Sequence, residues 1–212
     1  MFHPKSEIIL ASRSPRRYEL LSRLVPPAKI RVVAPRNPNE ADFDNLRTRD
    51  DIAARLLEIA ADKARDVAEQ FNADRPPGCM IAADTVIVVG SDEQDWHALG
   101  QPPEADWQNA VRQWFREHYA GKTHLAMTAL HIDAAGAARA RVITTEITFR
   151  GDVENLLEPY IASGEPRGKA GGYAIQGLGS LFVERVEGSF TNVIGLPLRE
   201  LVEMLRELGV VS

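Results

Sequence analysis

The sequence has a single cysteine, Cys79, and this excludes an internal disulfide. It also has no apolar run long enough for a signal peptide or a membrane span. These two absences predict a cytoplasmic protein without a membrane partner. Cys79 borders the apolar residues Met80 and Ile81, a position that favours a buried structural thiol over a nucleophile.

The sequence also has no excess of positive charge. The chain has 25 Lys and Arg against 30 Asp and Glu, so nucleic acid is not a predicted partner and any attraction for anions must be local. The five histidines do not have the spacing of metal ligands, and a zinc site is not predicted. With 212 residues and 44% hydrophobic content, the chain can bury the core of one α/β domain or of two small lobes.

The stretch from Ile8 to Leu21 predicts a strand, a turn and a helix in direct succession. Ser14 suits the N-cap of that helix, and Pro15 suits its first position because its missing N–H costs nothing there. The free N–H groups and the dipole of a helix start favour an anion. Three arginines crowd the same point: Arg13, Arg16 and Arg17. A bound polyanion such as a triphosphate accounts for this cluster, and a capped surface helix with solvated arginines is the alternative.

Hydrophobic periodicity and turn residues place the other elements. Strands are predicted at 30–33, 80–89, 125–132 and 141–150, the last two as an antiparallel pair. Helices are predicted at 50–71, 107–118, 152–163 and 197–208, and 90–104 is predicted to be a loop.

Two charged residues interrupt these apolar surfaces. Lys63 falls on the apolar stripe of the helix at 50–71, which predicts either a cleft-facing ammonium or a lysine that snorkels at the edge of the stripe. Asp84 interrupts the apolar strand at 80–89, where a carboxylate must be paired, bound to a metal or open to a cleft. Asp84 is therefore the strongest candidate acid, and a structural aspartate at a bulge is the competing interpretation.

The segment from Gly164 to Gly195 holds eight of the fifteen glycines, a density typical of backbone that bends close to a ligand. Its Gly177-Leu-Gly179 start resembles a dinucleotide fingerprint, but Phe182 stands where the third glycine belongs, so a Rossmann site is rejected. The Gly121-Lys-Thr sequence lacks the preceding glycine of a P-loop, and this site is rejected too.

Three separated stretches, Leu10–Leu21, Ala82–Val86 and Lys169–Leu198, together resemble the Maf family of nucleoside triphosphate pyrophosphatases. They carry a Ser-x-Ser-Pro-Arg-Arg turn, an Ala-Asp-Thr strand, a Lys-Ala-Gly block and a Gly-Leu-Pro close, in the order of the family. The resemblance implies a single α/β domain, 1–212, in which a mixed, strongly twisted sheet with surrounding helices forms two lobes around a deep cleft. It also implies metal-dependent hydrolysis of a nucleoside triphosphate to the monophosphate and pyrophosphate, often by a homodimer.

The resemblance further assigns roles to residues. Asp84 matches the general base proposed for the family. The cleft lysines and phosphate-side residues of the family match Lys63, Lys169, Ser12, Arg16 and Arg17. The N-terminus of the helix at Ser14 is expected to stabilise phosphate charge together with them.

The resemblance also implies a type of substrate and a metal ion. Arg16, Thr85 and Gln176 resemble the set that marks the dTTP/UTP type, and the Gln176 amide can donate and accept at once, as a pyrimidine edge requires. A divalent cation, Mg²⁺ or Mn²⁺, is expected to be held by Asp84 and Glu40. Asp84 as metal ligand and Asp84 as base both stay open.

Two residues depart from the family pattern. Gln101 stands where the family has a lysine before proline, and Gly168 stands where it has an aspartate before Lys-Ala-Gly. Lys122 could replace the missing lysine, although it lies in a turn that is structural in the family. The departures favour, as the alternative function, a nucleotide-binding regulator related to cell division with weak or no hydrolysis.

Overall fold

A mixed sheet of seven strands forms the centre of the chain. The computed structural model describes residues 2–37, 42–71, 77–90, 95–134 and 136–211. The strands are β1 (Ile8–Ala11), β2 (Ile30–Val33), β3 (Cys79–Val89), β4 (His97–Leu99), β5 (Thr123–Ala134), β6 (Ala137–Phe149) and β7 (Val183–Glu187). They follow the order β2-β1-β3-β5-β6-β7, and β4 pairs with β3. Because β1 is parallel to both β2 and β3 while the other pairs are antiparallel, the predicted mixed sheet is confirmed.

Helices pack on both faces of this sheet. They are α1 (Pro15–Leu24), α2 (Arg49–Ala68), α3 (Trp107–Trp114), α4 (Glu154–Ala162), α5 (Phe190–Ile194) and α6 (Leu198–Glu207). On one face, Ile52 and Leu56 of α2 pack in a cluster with Val86 and Val88 of β3. On the other face, α1, α3, α4 and α6 bury their apolar sides in the largest core cluster. The α/β fold with surrounding helices is confirmed, and the division of 1–212 into two lobes stays a prediction.

Strand β3 positions the site. Along one edge it pairs with β1 through Cys79–Ala82 and with β4 through Ile87–Val89. Within the described ranges, no strand covers this edge between them, at 83–86, whereas β5 pairs along the opposite edge from Cys79 to Val88. Asp84 and Thr85 lie in this gap. Because successive strand residues face opposite sides, Asp84 faces α2 and Thr85 faces the side of α1 and α5.

The elements that the sequence pattern missed are short. The loop predicted at 90–104 is wrong in part, because His97–Leu99 form β4 and pair antiparallel with the end of β3. In the glycine-rich segment, β7 and α5 were not predicted. A strand of three to five residues shows little periodicity of its own, and pairing with a neighbour stabilises it instead.

Among the described helices, none combines the length with the apolar character that crossing a membrane demands.

Cys79 is expected to be inert in the folded protein. Its side chain is fully buried in β3, and burial, with a smaller contribution from the charge of Asp133, raises the pKa of the thiol to about 12. Since the thiolate is the reactive form, a thiol reagent at mildly alkaline pH should label the protein only after denaturant is added. Labelling of the native protein at the rate of a free thiol would contradict this buried, protonated state.

Candidate active site

The turn between β1 and α1 forms one wall of the site. Helix α1 begins at Pro15 with Ser14 at the N-cap, as predicted. Within the described ranges, however, the Ser14 side chain makes no capping bond. The Ser12 hydroxyl, which is buried, instead accepts a hydrogen bond from the Ser14 N–H at 3.0 Å. Ser12 therefore shapes the turn through its side chain, whereas Ser14 contributes its backbone N–H.

Arg17 joins three elements at this wall. Its Nε donates to the carbonyl of Gly195, after α5, at 2.9 Å, and its Nη2 donates to Thr85 Oγ1 on β3 at 3.1 Å. Thr85 Oγ1 lies 2.9 Å from Thr128 Oγ1 on β5. The arginine thus holds the start of α1 against the gap in β3, and Thr128 is a supporting residue that the sequence pattern did not indicate.

Lys63 and Asp84 form a buried ion pair across the gap. Lys63 Nζ donates to Asp84 Oδ1 at 2.6 Å, and the Asp84 residue is only 6% exposed. The lysine reaches the carboxylate because Lys63 lies on the sheet-facing side of α2, as its position in the apolar stripe predicted. The two candidate residues therefore meet on the same side of the sheet.

A cavity of about 500 Å³ opens at this gap. The predicted site residues that line it are Ser12, Ser14, Arg16, Arg17, Lys63, Asp84, Thr85, Lys169 and Gln176. Glu40 lies outside the described residues. Among the described lining residues, five side chains are cationic and Asp84 is the one carboxylate, so the cavity has an excess of four positive charges. Such a cavity favours a polyanion.

Two of the cations repel each other across the cavity. Burial lowers the pKa of the Lys169 ammonium, and the positive charge of Arg16 lowers it further. Burial also lowers the pKa of the Arg16 guanidinium, although the nearby Glu19 opposes the effect. Both charges are destabilised in the protein alone and would be stabilised by a bound anion.

Gln176 lies at the exposed rim of the cavity, directly before a tight turn. The Glu165 carboxylate accepts hydrogen bonds from the N–H groups of Leu178 at 2.9 Å and Gly179 at 3.0 Å. A Cβ on Gly177 would lie 2.1 Å from this carboxylate, so any side chain there would have to displace the Glu165 carboxylate. Glu165 thus fixes the turn that carries Gln176, a role that no local sequence pattern indicates because the two segments meet only in the fold.

The two departures from the family pattern both lie at the cavity. Gln101 and Gly168 line it, whereas Lys122 is absent from its lining and donates to the Glu117 carbonyl at 2.5 Å. In the described part of the chain, Lys122 therefore does not replace the missing lysine. Gly168 adopts a φ of +66°, a conformation that glycine tolerates and an aspartate would strain.

The described residues of the cavity offer few ligands for a divalent cation. The described ranges contain no group of three or more His, Cys, Asp and Glu side chains that could hold a metal. Asp84 supplies one carboxylate, and Mg²⁺ is commonly held by one or two carboxylates together with substrate phosphates. The site thus fits a metal that binds jointly with a phosphorylated substrate.

The segment Pro35–Asn37 borders the cavity and is held from two sides. Asp66 of α2 accepts hydrogen bonds from the backbone N–H groups of Arg36 at 2.9 Å and Asn37 at 3.1 Å. Arg13 donates to the carbonyl of Pro35 at 2.5 Å. The backbone bonds are the main cause that lowers the pKa of Asp66 to about 2.

The contribution of Asp66 to stability is expected to disappear in acid. Its pKa lies below the ordinary 3.8, so the stabilisation is complete above that value and is lost as the pH falls through about 2. Thermal unfolding of wild type and Asp66→Asn across this range should give a difference in Tm that shrinks with falling pH. Asp62→Asn, on the same helix, is the control for removing a carboxylate. A difference in Tm for Asp66→Asn that does not change with pH would contradict the stabilising role of the Asp66 carboxylate.

Comparison with known proteins identifies relatives of this chain. The family model described as Maf-like protein matches residues 7–208. A dTTP/UTP pyrophosphatase of Deinococcus radiodurans is 38% identical over 203 residues, covering 96% of this chain and 93% of that protein. One of Pyrococcus furiosus is 36% identical, covering 96% and 95%. The structure of a HAM1 protein from Coxiella burnetii aligns with a TM-score of 0.47 and 14% identity, covering 95% of this chain and 99% of that one.

Proposed function

The chain belongs to the Maf family, and from this premise we propose that it hydrolyses a nucleoside triphosphate, dTTP or UTP, to the monophosphate and pyrophosphate. The observation that carries the proposal is the cavity itself. It combines an excess of four positive charges with one buried carboxylate that is already oriented by Lys63. The cations can bind the phosphate oxygens of the triphosphate, and the carboxylate can accept a proton from the water that attacks it.

In this proposal Asp84 accepts a proton from the attacking water, because its carboxylate lies in the gap of β3 and opens to the cavity. Lys63 holds the carboxylate in place through the 2.6 Å contact. Arg16 and Lys169 bind phosphate oxygens and offset the charge that develops as pyrophosphate leaves. Electrostatic stabilisation of this kind dominates catalysis of phosphoryl transfer.

Asp84 would also hold a divalent cation, Mg²⁺ or Mn²⁺, with Glu40 as the second predicted ligand. When bound, such an ion polarises phosphate oxygens and neutralises part of their charge. Binding of Mn²⁺ to wild type and to Asp84→Asn, followed by electron paramagnetic resonance with and without nucleotide, separates the two roles. Unchanged binding with lost hydrolysis supports the base, and lost binding supports the ligand.

The experiment that tests the function is pyrophosphate release from dTTP, UTP, CTP and 7-methyl-GTP in the presence of Mg²⁺. We expect the highest kcat/KM for dTTP and UTP, with one pyrophosphate for each monophosphate. In ¹⁸O-labelled water, attack on the α-phosphorus places the label in the monophosphate. Release of orthophosphate, or label in pyrophosphate, would refute this reaction.

A nucleotide-binding regulator is the second candidate. Gln101 and Gly168 line the cavity where the family pattern has a lysine and an aspartate, so one cation and one carboxylate are missing from its wall. Tight binding of dTTP or UTP without pyrophosphate release would favour it. The predicted homodimer belongs to the same proposal and is tested by light scattering coupled to size-exclusion chromatography.

A further inference from the structure

A buried aromatic cluster lies behind the cavity wall that carries Lys169. Tyr119, the last residue of the π-helical segment Phe115–Tyr119 that follows α3, is fully buried between Phe115 and Phe149, with ring centroids 5.2 and 5.3 Å away. Its hydroxyl donates to the carbonyl of Gly171 at 2.8 Å. Burial raises the pKa of Tyr119 well above its ordinary value, so the hydroxyl keeps its proton and remains a donor.

Gly171 links this cluster to two parts of the cavity wall. Its N–H donates to the carbonyl of Gly100 at 2.9 Å, and Gly100 directly precedes Gln101. Gly171 has a φ of +67°, and a Cβ there would lie 2.5 Å from Ile87 and 2.6 Å from the Tyr119 oxygen. One peptide segment thus packs so closely between β3 and the cluster that only glycine fits.

Among the described residues, few contacts fix the position of the Lys169 side chain. In the described ranges its ammonium meets the Arg167 carbonyl at 3.4 Å, a distance beyond that of a normal hydrogen bond. The location of the ammonium therefore depends on the segment 169–172. Tyr160 reaches the same segment more weakly, because its hydroxyl lies 3.4 Å from the Gly172 carbonyl.

We propose that Tyr119 is a positioning residue of the nucleotide site: its hydroxyl fixes the Gly171 peptide and, through it, the Lys169 ammonium relative to the Gly100–Gln101 wall. The proposal rests on the proposed function, because Lys169 is taken to bind phosphate. Tyr119 does not touch substrate. Its effect is transmitted through the backbone, and a displacement of a binding group by about 1 Å is enough to lose about 100-fold in rate.

The test is a double-mutant cycle between Tyr119→Phe and Lys169→Met. Affinity for a non-hydrolysable dTTP analogue is measured by calorimetry, and kcat/KM is measured by pyrophosphate release. Tyr119→Phe keeps the ring and removes the hydroxyl, and we expect a loss of about 10–100-fold in kcat/KM with a parallel loss of affinity. In the Lys169→Met background the same change should cost less than about twofold, because residues that act as a unit are not additive.

Two further variants separate positioning from general loss of stability. Ile132→Val shortens a fully buried side chain of the same core on β5, away from the cavity, and should leave kcat/KM and affinity unchanged. Tyr160→Phe should lower both in the same direction as Tyr119→Phe but by less. It also tests the proposal if Tyr119→Phe fails to fold.

The outcomes are distinct. Wild-type affinity in Tyr119→Phe, or equal losses in the two backgrounds, overturns the positioning role and leaves the proposed function intact. An unmodified protein that binds no triphosphate analogue overturns the proposed function and the positioning role together. Restoration of affinity by para-aminophenylalanine at position 119, which returns a donor for the Gly171 carbonyl, supports the role directly.

Discussion

Asp84→Asn is expected to lower kcat for pyrophosphate release by about 10²–10⁴-fold, the range over which a positioned general base contributes. Asparagine has nearly the same size, so the change removes the negative charge and the ability to accept a proton while the shape of the gap in β3 is kept. Asp84 is 6% exposed and its carboxylate accepts a hydrogen bond from the Lys63 ammonium at 2.6 Å, so it is already oriented before substrate binds. Steady-state release of pyrophosphate from dTTP measures the loss.

A matched control and a double variant make this prediction specific. Asp152→Asn removes an exposed carboxylate that pairs with Arg150 outside the cavity, and should leave kcat unchanged. The double variant Asp84→Asn/Lys63→Met removes both charges of the buried pair. Activity that stays lost in the double variant cannot result from the unbalanced lysine. Native-like kcat in a folded Asp84→Asn protein would exclude the carboxylate from the chemistry.

Arg16→Met is expected to lower kcat/KM by about 10²–10³-fold, as for the loss of one preorganised donor, without lowering the free energy of unfolding. In the described part of the chain the Arg16 guanidinium lines the cavity without a hydrogen bond or ion pair, and burial lowers its pKa. Its charge is therefore unfavourable in the protein alone, and its removal should not destabilise the fold. Urea unfolding and pyrophosphate release measure the two effects.

The neighbouring arginine is expected to behave differently. Arg17 donates to the Gly195 carbonyl and to Thr85 Oγ1, so Arg17→Met should lower the free energy of unfolding by about 1.5–3 kcal/mol as well as the activity. Arg17→Lys should lose stability as well, because the ammonium of a lysine cannot donate to both acceptors in the geometry of a guanidinium. Arg23→Met, exposed on the same helix, is the control. Equal stability losses in Arg16→Met and Arg17→Met would contradict this division of roles.

Much of the site could be predicted from the sequence because its residues break local patterns. A lysine in an apolar helical stripe and an aspartate in an apolar strand each stand out within about ten residues, and the structure brings Lys63 and Asp84 together. The start of α1 was predictable for the same reason, since Ser14 and Pro15 act locally.

The supporting contacts could not be predicted, because they join residues that are distant along the chain. Arg17 and Gly195 are separated by 178 positions, and Glu165 and Leu178 by 13. Tyr119 directly follows the helix predicted at 107–118, and nothing in the local sequence indicates a polar contact for its hydroxyl. Its polar contact to Gly171 depends on a positive φ at a glycine that no periodicity marks.

The charge distribution has a kinetic consequence. The chain as a whole carries a net charge of −5, whereas the cavity carries an excess of four positive charges. A diffusing nucleotide is repelled at long range by the net negative charge and attracted at the entrance of the cavity. Because the Debye length is about 8 Å at physiological ionic strength, moderate salt screens the distant repulsion before it screens the attraction at contact. The rate of encounter should therefore pass through a maximum as ionic strength rises, instead of falling steadily from the lowest salt.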